Sequence, residues 1–262
     1  MDLGLDGMVV LVTGGSKGIG LACARSFAAE GARIAIASRS EANLARAAQA
    51  LARDGVEPVT VAADLVDPRQ AAAMVGKVEA ALGPVDVLVN SAGAARRTPP
   101  AELTAEHWHA AMQAKYFTYV HAMDAVLRGM AARGKGVIVN VIGMGGKIAG
   151  PTHLPGGAAN AALMLASVGL ANAFASRGIR VNAVNPGLTE TERMQEGFEA
   201  EARQAGRPVA EILRQRTSAM PLGRLAQPQD IADAVVFLAS RRASYVSGAV
   251  LTLDGAATPI VV

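Results

Sequence analysis

The sequence predicts an α/β fold in which helices cover both faces of a parallel sheet. Short apolar runs rich in β-branched residues alternate with longer alanine-rich stretches along the chain, a pattern typical of βαβ units. The short runs are apolar throughout, as expected of strands buried on both faces. Because the alternation continues to the last apolar run, residues 1–262 are expected to form a single domain.

Each predicted element follows from this alternation. The expected strands are Val9–Thr13, Arg33–Ser38, Pro58–Ala62, Val85–Asn90, Gly136–Val141, Ile179–Asn185 and Ala249–Asp254. The expected helices are Ile19–Glu30, Glu41–Asp54, Pro68–Leu82, Ala105–Arg133, Ala158–Arg177 and Gln227–Ser240. A charged excursion with two weaker helical patterns, Glu192–Gly206 and Val209–Arg216, follows the sixth strand. We expect residues 188–226 to form a lid over a site; a solvated excursion is the alternative.

Composition restricts the class of protein. With 51% hydrophobic and 3% aromatic residues among 262, the chain has enough aliphatic residues for a large core, and disorder is excluded. The net charge of +3 is spread without a run of like charges, so nucleic-acid binding is not expected. A single cysteine, Cys23, fits a reducing compartment, and Met1–Gly7 lacks a basic cluster. We therefore expect a cytoplasmic protein without a signal peptide.

The most apolar predicted helix contains polar interruptions. Asn160, Ser167 and Asn172 lie within the stretch that forms the helix Ala158–Arg177. A helix that is apolar on all sides but carries such residues is expected in a core or an interface. No membrane span is expected from it.

A glycine-rich turn joins the first strand to the first helix. The segment reads Thr13-Gly-Gly-Ser-Lys-Gly-Ile-Gly20. Glycine permits a tight turn and close approach of the backbone to a ligand, and a helix N-terminus offers free N–H groups to a pyrophosphate. Because the motif follows a strand and opens a helix, it predicts dinucleotide binding. The residues expected at the pyrophosphate and the adjoining ribose are Gly14, Ser16, Lys17, Gly18, Ile19 and Gly20.

The end of the second strand indicates which dinucleotide binds. Units that bind NAD commonly place a carboxylate there for the ribose 2′-hydroxyl, whereas this chain has Ser38 and Arg39. A guanidinium binds a 2′-phosphate through charge-assisted hydrogen bonds, and Lys17 can add a second positive charge. We therefore predict that NADP(H) is preferred over NAD(H) by ten-fold or more; the alternative is that Arg39 merely opens a helix.

Taken together, the motifs resemble those of the short-chain dehydrogenase/reductase family over nearly the whole chain. The glycine-rich turn is similar to the TGxxxGxG of that family, Asp64-Leu65 to its adenine contact and Asn90-Ser91-Ala92-Gly93 to its NNAG. The segment 180–187 is similar to its RVNxxxPG, and Ser247-Gly248 with Asp254-Gly255 to its C-terminal signature. The resemblance implies a single doubly wound Rossmann domain with a seven-stranded parallel sheet, a nicotinamide cofactor and a homodimer or homotetramer, with the helix Ala158–Arg177 at a subunit interface.

The resemblance also implies where the cofactor binds. Asp64 and Leu65 would bracket the adenine, and Asn90, Ala92 and Gly93 would lie along the cofactor. Asn160 would lie at the nicotinamide ribose. Pro186, Gly187, Thr189 and Thr191 would lie near the carboxamide and the phosphates.

The catalytic residues depart from the pattern of that family, which uses Ser, Tyr, Lys and Asn. Aligned through Asn160-Ala-Ala-Leu163, the chain has Gly143 at the Ser position, Gly156 at the Tyr position and Asn160 at the Lys position. Lys115 stands at the Asn position. No tyrosine lies between Val120 and Tyr245, so a small alignment error does not restore the phenol. Losing a general acid costs about 10²–10⁴-fold in rate.

Three residues are candidates to replace the acid. Lys115 is expected to point into the pocket, where burial near another cation would lower its pKa; the alternative is a structural cation that holds backbone carbonyls. His153 precedes Gly156 and titrates near neutrality, or is an exposed loop histidine. Tyr119 is four residues from Lys115 and shares its helix face, or serves packing alone.

Two glycines in place of Ser and Tyr would enlarge the pocket, and backbone N–H groups near them can bind an oxyanion. Arg96 and Arg97 follow the fourth strand. With Lys115 they would favour an anionic small-molecule substrate, such as a carboxylate or an acyl thioester of a phosphorylated carrier; a solvated arginine pair is the alternative. His107 and His109 stand two apart, on different faces of a helix, so no metal site is expected.

The sequence therefore favours an NADP(H)-dependent oxidoreductase that transfers a hydride between the nicotinamide and a carbonyl or alcohol. Lys115 is the first candidate for its acid and His153 the second. A non-catalytic NADP(H)-binding sensor or structural partner subunit is the main alternative. A lyase or isomerase that uses the same crevice is a weaker one.

Overall fold

A single parallel sheet forms the centre of the protein. The computed structural model describes residues 2–93 and 97–260. The strands of this part are β1 (Val9–Thr13), β2 (Arg33–Ser38), β3 (Val59–Ala62), β4 (Val87–Asn90), β5 (Gly136–Val141), β6 (Ile179–Pro186) and β7 (Val250–Leu253). They pair in the order β3-β2-β1-β4-β5-β6-β7, and every pair is parallel. This confirms the predicted doubly wound, seven-stranded parallel sheet.

Helices cover the sheet on both faces. They are α1 (Gly18–Ala29), α2 (Glu41–Arg53), α3 (Pro68–Leu82), α4 (Ala105–Ala111), α5 (Thr118–Arg133), α6 (Leu154–Phe174), α7 (Glu192–Ala205), α8 (Val209–Ser218) and α9 (Pro228–Ala239). Phe27, Leu51 and Ile231 bury one face of the sheet beneath α1, α2 and α9. Met74, Met130 and other residues of α3, α5 and α6 bury the opposite face. Short β-branched strands and alanine-rich helices thus fit together as the sequence predicted.

The long helix predicted over Ala105–Arg133 is interrupted. A π-helical turn, Met112–Phe117, separates α4 from α5 and contains the buried Lys115. Thr118 donates its hydroxyl to the carbonyl oxygen of Lys115 at 2.9 Å, which satisfies a backbone group that the wider turn leaves available. The helical stretch begins and ends where the sequence predicted, at Ala105 and Arg133. The π-turn within it was not predicted, and it changes the face on which Lys115 projects.

A half-buried guanidinium joins the sixth strand to the C-terminal end of α9. Arg180 donates hydrogen bonds of 2.8–3.1 Å to the backbone oxygens of Leu238, Ala239, Ser240 and Val246. Carbonyl groups at the end of a helix lack intrahelical partners and carry partial negative charge. The positive charge of Arg180 therefore fixes α9 and the following turn against the sheet.

Residues 188–226 form the excursion that the sequence predicted, and α7 and α8 fold within it. Phe198, Ala202, Ile212 and Leu225 form a small apolar cluster between these two helices. A parallel bridge between Thr189 and Ala226 closes the base of the excursion. Because the segment has its own small core and a closed base, it packs as a unit beside the sheet.

Helix α6 carries an exposed apolar face. Within the described residues, the segment Leu154–Arg177 is the one helix long and apolar enough to cross a membrane, by length and composition alone. Its buried polar side chain Ser167 donates to the carbonyl oxygen of Leu163 and accepts from Asn140, so one face belongs to the core. Leu165 is 77% exposed and Val168 is 42% exposed on the other face. The expectation that this helix lies at a subunit interface stays a prediction.

Candidate active site

The candidate site is a cleft at the carboxyl ends of the strands. Strand order reverses between β1 and β4, where the connections leave in opposite directions, and ligands of such sheets bind outside that switch point. The cleft has a volume of about 1160 Å³ and runs from the turn after β1 past the ends of β2, β4 and β5 to the excursion. A dinucleotide with a small substrate needs an elongated site of this kind.

The glycine-rich turn forms one wall of the cleft. Gly14 has φ +68°, and a Cβ there would lie 2.7 Å from the backbone of Ser91 and Ala92, so only glycine lets the two strand ends approach. Lys17 precedes α1, and none of the described side chains caps that helix. Its first-turn N–H groups therefore face the cleft, where the helix dipole favours an anion. Lys17 lies 3.4 Å from Glu192 across the cleft.

Polar residues lie where β2 ends. Ser38, Arg39 and Asn43 line the cleft near Lys17. The N-cap of α2 is Ser40, whose hydroxyl accepts from the N–H of Asn43. Arg39 is exposed and is not the cap of this helix, so its guanidinium is available to an anion in the cleft.

The loop after β3 closes the same end of the cleft. Asp64 accepts the N–H of Val66 through Oδ1 at 3.2 Å, and the backbone N–H of Asp64 donates to Gln70. The ring Nδ1 of His121 lies 2.9 Å from the carbonyl oxygen of Leu65. These bonds fix the loop at the position that the sequence assigned to the adenine.

Two predicted cofactor residues lie behind the wall. A Cβ on Gly20 would overlap the carbonyl oxygen of Gly14, so this glycine allows α1 to pack closely on the turn. Asn90 is fully buried, accepts from Thr13 at 3.1 Å and donates to Asn140 at 2.9 Å. Both therefore shape the site from behind its wall, and their role at a bound cofactor stays a prediction.

The other predicted cofactor residues all line the cleft. They are Gly14, Ser16, Lys17, Gly18, Ile19, Ser38, Arg39, Asp64, Leu65, Ala92, Gly93, Asn160, Pro186, Gly187, Thr189 and Thr191. The structure thus brings together residues from the segments that follow five of the strands and from helix α6.

Lys115 projects from the π-turn into a buried position on the cleft wall. Its Nζ donates to the carbonyl oxygen of Val141 at 3.1 Å and to the hydroxyl of Tyr119 at 2.8 Å. The ammonium also lies 4.3 Å from the centroid of the Tyr119 ring, which adds a cation–π contact. Two of its three N–H groups are used in this way, so the third is available to a ligand.

Burial changes the protonation of this pair. Desolvation lowers the pKa of Lys115 from 10.5 to about 7, with a smaller contribution from the nearby charge of Arg193. Burial raises the pKa of Tyr119 well above its usual value, and its hydroxyl donates to Val141. Tyr119 lies behind Lys115, fully buried, so it stays a neutral phenol that positions the lysine.

His153 and Asn160 face the glycines after β5. The His153 ring lies 2.7 Å from the Cβ position of Gly145, and Asn160 Nδ2 lies 3.4 Å from that of Gly143. Buried Nδ1 of His153 has no hydrogen-bond partner among the described residues. Burial, then the charges of Arg97 and Lys115, lower the pKa of His153. A neutral imidazole and an amide therefore line this part of the cleft.

Two arginines lie at the mouth of the same region. Arg97 donates to the hydroxyl of Thr152 at 3.5 Å, next to His153, and Arg96 lies outside the described residues. Sequence reasoning missed Arg193, which lies in the first turn of α7, lines the cleft and donates to the carbonyl oxygen of Gly93 at 2.7 Å. In sequence, Arg193 lies in a weak, charged helical pattern, where side chains are mostly solvated. The one signal that could have indicated a role in the site is its closeness to the turn that follows β6.

His107 has a local structural role. Its Nδ1 accepts the backbone N–H of Thr104 at 3.2 Å and completes a capping box at the start of α4. His107, one of the two histidines that flank Trp108, therefore has a capping role in the helix.

Comparisons with known proteins agree with this geometry. Residues 14–258 match the family model described as enoyl-(acyl carrier protein) reductase. Galactitol 2-dehydrogenase (L-tagatose-forming) of Cereibacter sphaeroides is 38% identical over 97% of this chain and 96% of its own. L-sorbose reductase of Gluconobacter frateurii, solved with NADPH and L-sorbose, superposes with a TM-score of 0.93 at 32% identity and full coverage of both chains.

A further solved structure is similar to this chain at the level of the whole fold. It is an NADPH-bound short-chain oxidoreductase of Pseudomonas aeruginosa PAO1 described as containing an atypical catalytic centre. Its TM-score is 0.87 at 32% identity, with 97% of this chain and 98% of that chain covered. Sequence motifs, sheet topology and these relatives agree, and the chain belongs to the short-chain dehydrogenase/reductase family of oxidoreductases.

Proposed function

We propose that this protein is an NADP(H)-dependent oxidoreductase that interconverts a carbonyl and an alcohol on a small molecule, with Lys115 as its acid. One observation carries the proposal: a largely buried lysine on the cleft wall has an available N–H and a pKa of about 7. An acid with a pKa near the working pH both holds and releases its proton readily.

The residues of the cleft fit a phosphorylated dinucleotide. The uncapped N-terminus of α1 and the side chain of Lys17 would hold the pyrophosphate. Arg39 and Ser38 would hold a 2′-phosphate, and the Asp64–Leu65 loop would hold the adenine. Asn160 would contact the nicotinamide ribose, with Thr189 and Thr191 near the carboxamide and phosphates. NADPH complexes of the two solved relatives support this choice of cofactor.

By the sequence resemblance, Gly143, Gly156 and Asn160 would stand at the positions of Ser, Tyr and Lys in the family pattern. Glycine cannot donate a proton, and an amide supplies no positive charge. The relative from Pseudomonas aeruginosa binds NADPH with a centre described as atypical, which supports retention of the cofactor site when the centre changes. We infer that Lys115 assumes the role of the missing acid.

The proton step follows from the position of Lys115. When bound, the nicotinamide supplies a hydride to the carbonyl carbon, or accepts one in the reverse direction. The proton of the third N–H of Lys115 would be transferred to the carbonyl oxygen, which becomes the alcohol hydroxyl. Lys115 would then be a neutral amine. Tyr119 and the carbonyl of Val141 hold the amine in place, and His153 is the second candidate for the proton transfer.

The excursion at residues 188–226 is proposed to cover the site. Glu192 contacts Lys17 on the nucleotide side of the cleft, while Arg193 contacts Gly93 on the other side. We infer that α7 closes over a bound cofactor and excludes water. The exposed side of α6, with Leu165 and Val168, is proposed as a subunit interface of a homodimer or homotetramer.

A second candidate function is a non-catalytic NADP(H)-binding protein. It is favoured by Gly143, which brings no side chain to the end of β5. Lys115 would then be a structural cation that binds the Val141 carbonyl. This candidate predicts tight NADPH binding without turnover of any carbonyl compound.

The substitution Lys115→Met separates the two candidates. Methionine fills the same space without a donor, so NADPH affinity is expected to remain within a few-fold while carbonyl-dependent NADPH oxidation falls by about 10²–10⁴-fold. Lys77→Met, at an exposed position of α3, is the matched control. Oxidation at the wild-type rate in Lys115→Met would refute the assignment of the acid, and absence of NADPH binding by the wild type would refute both candidates.

A further inference from the structure

The substrate end of the cleft holds two cations that contact the same glycine. The side chain of Lys115 passes Gly93, with Cδ 2.7 Å and Nζ 3.6 Å from the Cβ position of that glycine. Arg193 donates to the carbonyl oxygen of Gly93 at 2.7 Å. A path from the Arg193 nitrogen through the backbone atoms of Gly93 to the Lys115 Nζ gives an upper bound on their separation. With these contact distances and ordinary bond lengths, the two nitrogens lie within about 10 Å of each other.

These cations are not compensated by the protein where it is described. Within residues 2–93 and 97–260, neither Lys115 nor Arg193 forms an ion pair with a carboxylate. Arg97 adds a third positive charge near His153. Glu192 is directed to Lys17, on the nucleotide side. Like charges gathered in a cleft favour a ligand that brings an anion between them.

The two cations also differ in the way they can bind. Arg193 is exposed at the mouth, and its planar guanidinium keeps further donors beyond the one used on Gly93, in the geometry that carboxylates accept. Lys115 is buried and keeps one N–H. A carbonyl oxygen at Lys115 and an anionic group at Arg193 would both be satisfied by one short molecule.

We propose that Arg193 is a specificity-determining residue that binds the carboxylate of a 2-oxo or 3-oxo acid whose carbonyl oxygen contacts Lys115. This rests on the proposed function, since it assigns the carbonyl to Lys115. A separation of at most about 10 Å between the two nitrogens leaves room for two hydrogen bonds and a short acid. The carbonyl and carboxylate carbons of that acid are bonded directly, as in a 2-oxo acid, or separated by one carbon atom, as in a 3-oxo acid. Hydroxy acids of the same length are the substrates in the reverse direction.

Matched pairs of acids and amides test the proposal through NADPH oxidation at constant ionic strength. The pairs are pyruvate and pyruvamide, acetoacetate and acetoacetamide, and 6-oxoheptanoate and its amide. A charged hydrogen bond to the carboxylate predicts about a 10- to 100-fold higher kcat/KM for the acid in at least one of the two shorter pairs. The longest pair is expected to show a ratio near one.

The variant Arg193→Met is expected to bring the ratio for the shorter pairs close to one, with a much smaller change in the Kd for NADPH than in the kcat/KM for the acids. Arg203→Met, at an exposed position of the same helix, is the matched control and retains the preference. Amides used as efficiently as acids would overturn the proposal. So would an unchanged preference in Arg193→Met, or a loss in NADPH affinity equal to the loss in kcat/KM, because Arg193 would then bind the cofactor.

A binding measurement decides the matter if no pair is turned over. The melting temperature of the NADP⁺-saturated protein is measured with pyruvate or acetoacetate and with the corresponding amides. Stabilisation by an acid alone, abolished in Arg193→Met, supports the anion site. Equal effects of acid and amide overturn it. Failure of the proposed function gives a different result. In that case the protein does not bind NADPH, or it does not oxidise NADPH with any carbonyl compound, whereas failure of the anion site changes only the acid-to-amide ratio.

Discussion

The burial of Lys115 predicts a specific dependence of stability on pH. The pKa of this lysine is about 7 in the folded protein and 10.5 in the unfolded chain. Between these values the unfolded state binds more protons, so the contribution of Lys115 makes the free energy of unfolding rise with pH. Below pH 7 both states are protonated and the full cost of burying the ammonium is present. Above pH 7 the folded state releases its proton and that cost is relieved.

The magnitude follows from the same two values. Integrated from pH 7 to pH 9, the difference in bound protons amounts to about 2 kcal/mol of added stability. In Lys115→Met this contribution is absent, while the other titrating groups remain. The free energy of unfolding of the wild type minus that of the variant is therefore expected to increase by about 2 kcal/mol over this range.

Urea denaturation at several values between pH 6 and pH 9 measures this difference directly. The range ends at pH 9 because tyrosines of the unfolded chain ionise near pH 10. Lys77→Met provides the control, since its side chain is exposed on α3 and its removal is expected to give a flat difference. A flat difference for Lys115→Met as well would refute the reasoning, because Lys115 would then keep its proton in the folded protein throughout this range.

Three other predictions concern the cofactor site and the frame that carries it. Arg39→Ala is expected to reduce the preference for NADPH over NADH by ten-fold or more, measured from the two dissociation constants; an unchanged ratio would argue that Arg39 has no role at the 2′-phosphate. Arg180→Met removes donors from four carbonyl groups and is expected to cost about 3 kcal/mol in urea denaturation. Gly20→Ala places a methyl group against the Gly14 carbonyl, so NADPH affinity and stability are both expected to fall; Gly76→Ala, with open space around the new methyl, is the control.

The sheet and the glycine-rich turn were predictable because their signals are local. Each buried strand is a short β-branched run, and the Gly14 turn must be glycine wherever two strand ends approach so closely. The helix that carries Lys115 was harder to predict, since a π-turn has no distinct apolar period. The burial of this side chain depends on Tyr119 and Val141, which come from α5 and β5, so the altered pKa arises only after folding.

The role of Arg193 was not predictable for a related reason. In sequence it is one of several charged residues in a weak helical pattern, and such residues are mostly solvated. What distinguishes it is the contact with Gly93, one hundred positions earlier in the chain. Asn90 and Gly20 show a different limit of sequence reasoning, because motif positions that shape a site from behind look the same in sequence as those that line it.

Burial of Lys115 lowers the stability of the protein and also gives this lysine the pKa that suits an acid. A displacement of its pKa from 10.5 to about 7 corresponds to about 5 kcal/mol of differential interaction, at the upper limit, against the charged form. A hydrophobic residue at this position would remove that cost, and the core around Tyr119 would accept one. The arrangement is therefore destabilising near neutral pH, as expected where a stability cost is retained for function. A Lys115→Met variant that is more stable at pH 6 and inactive would link the two properties in one residue.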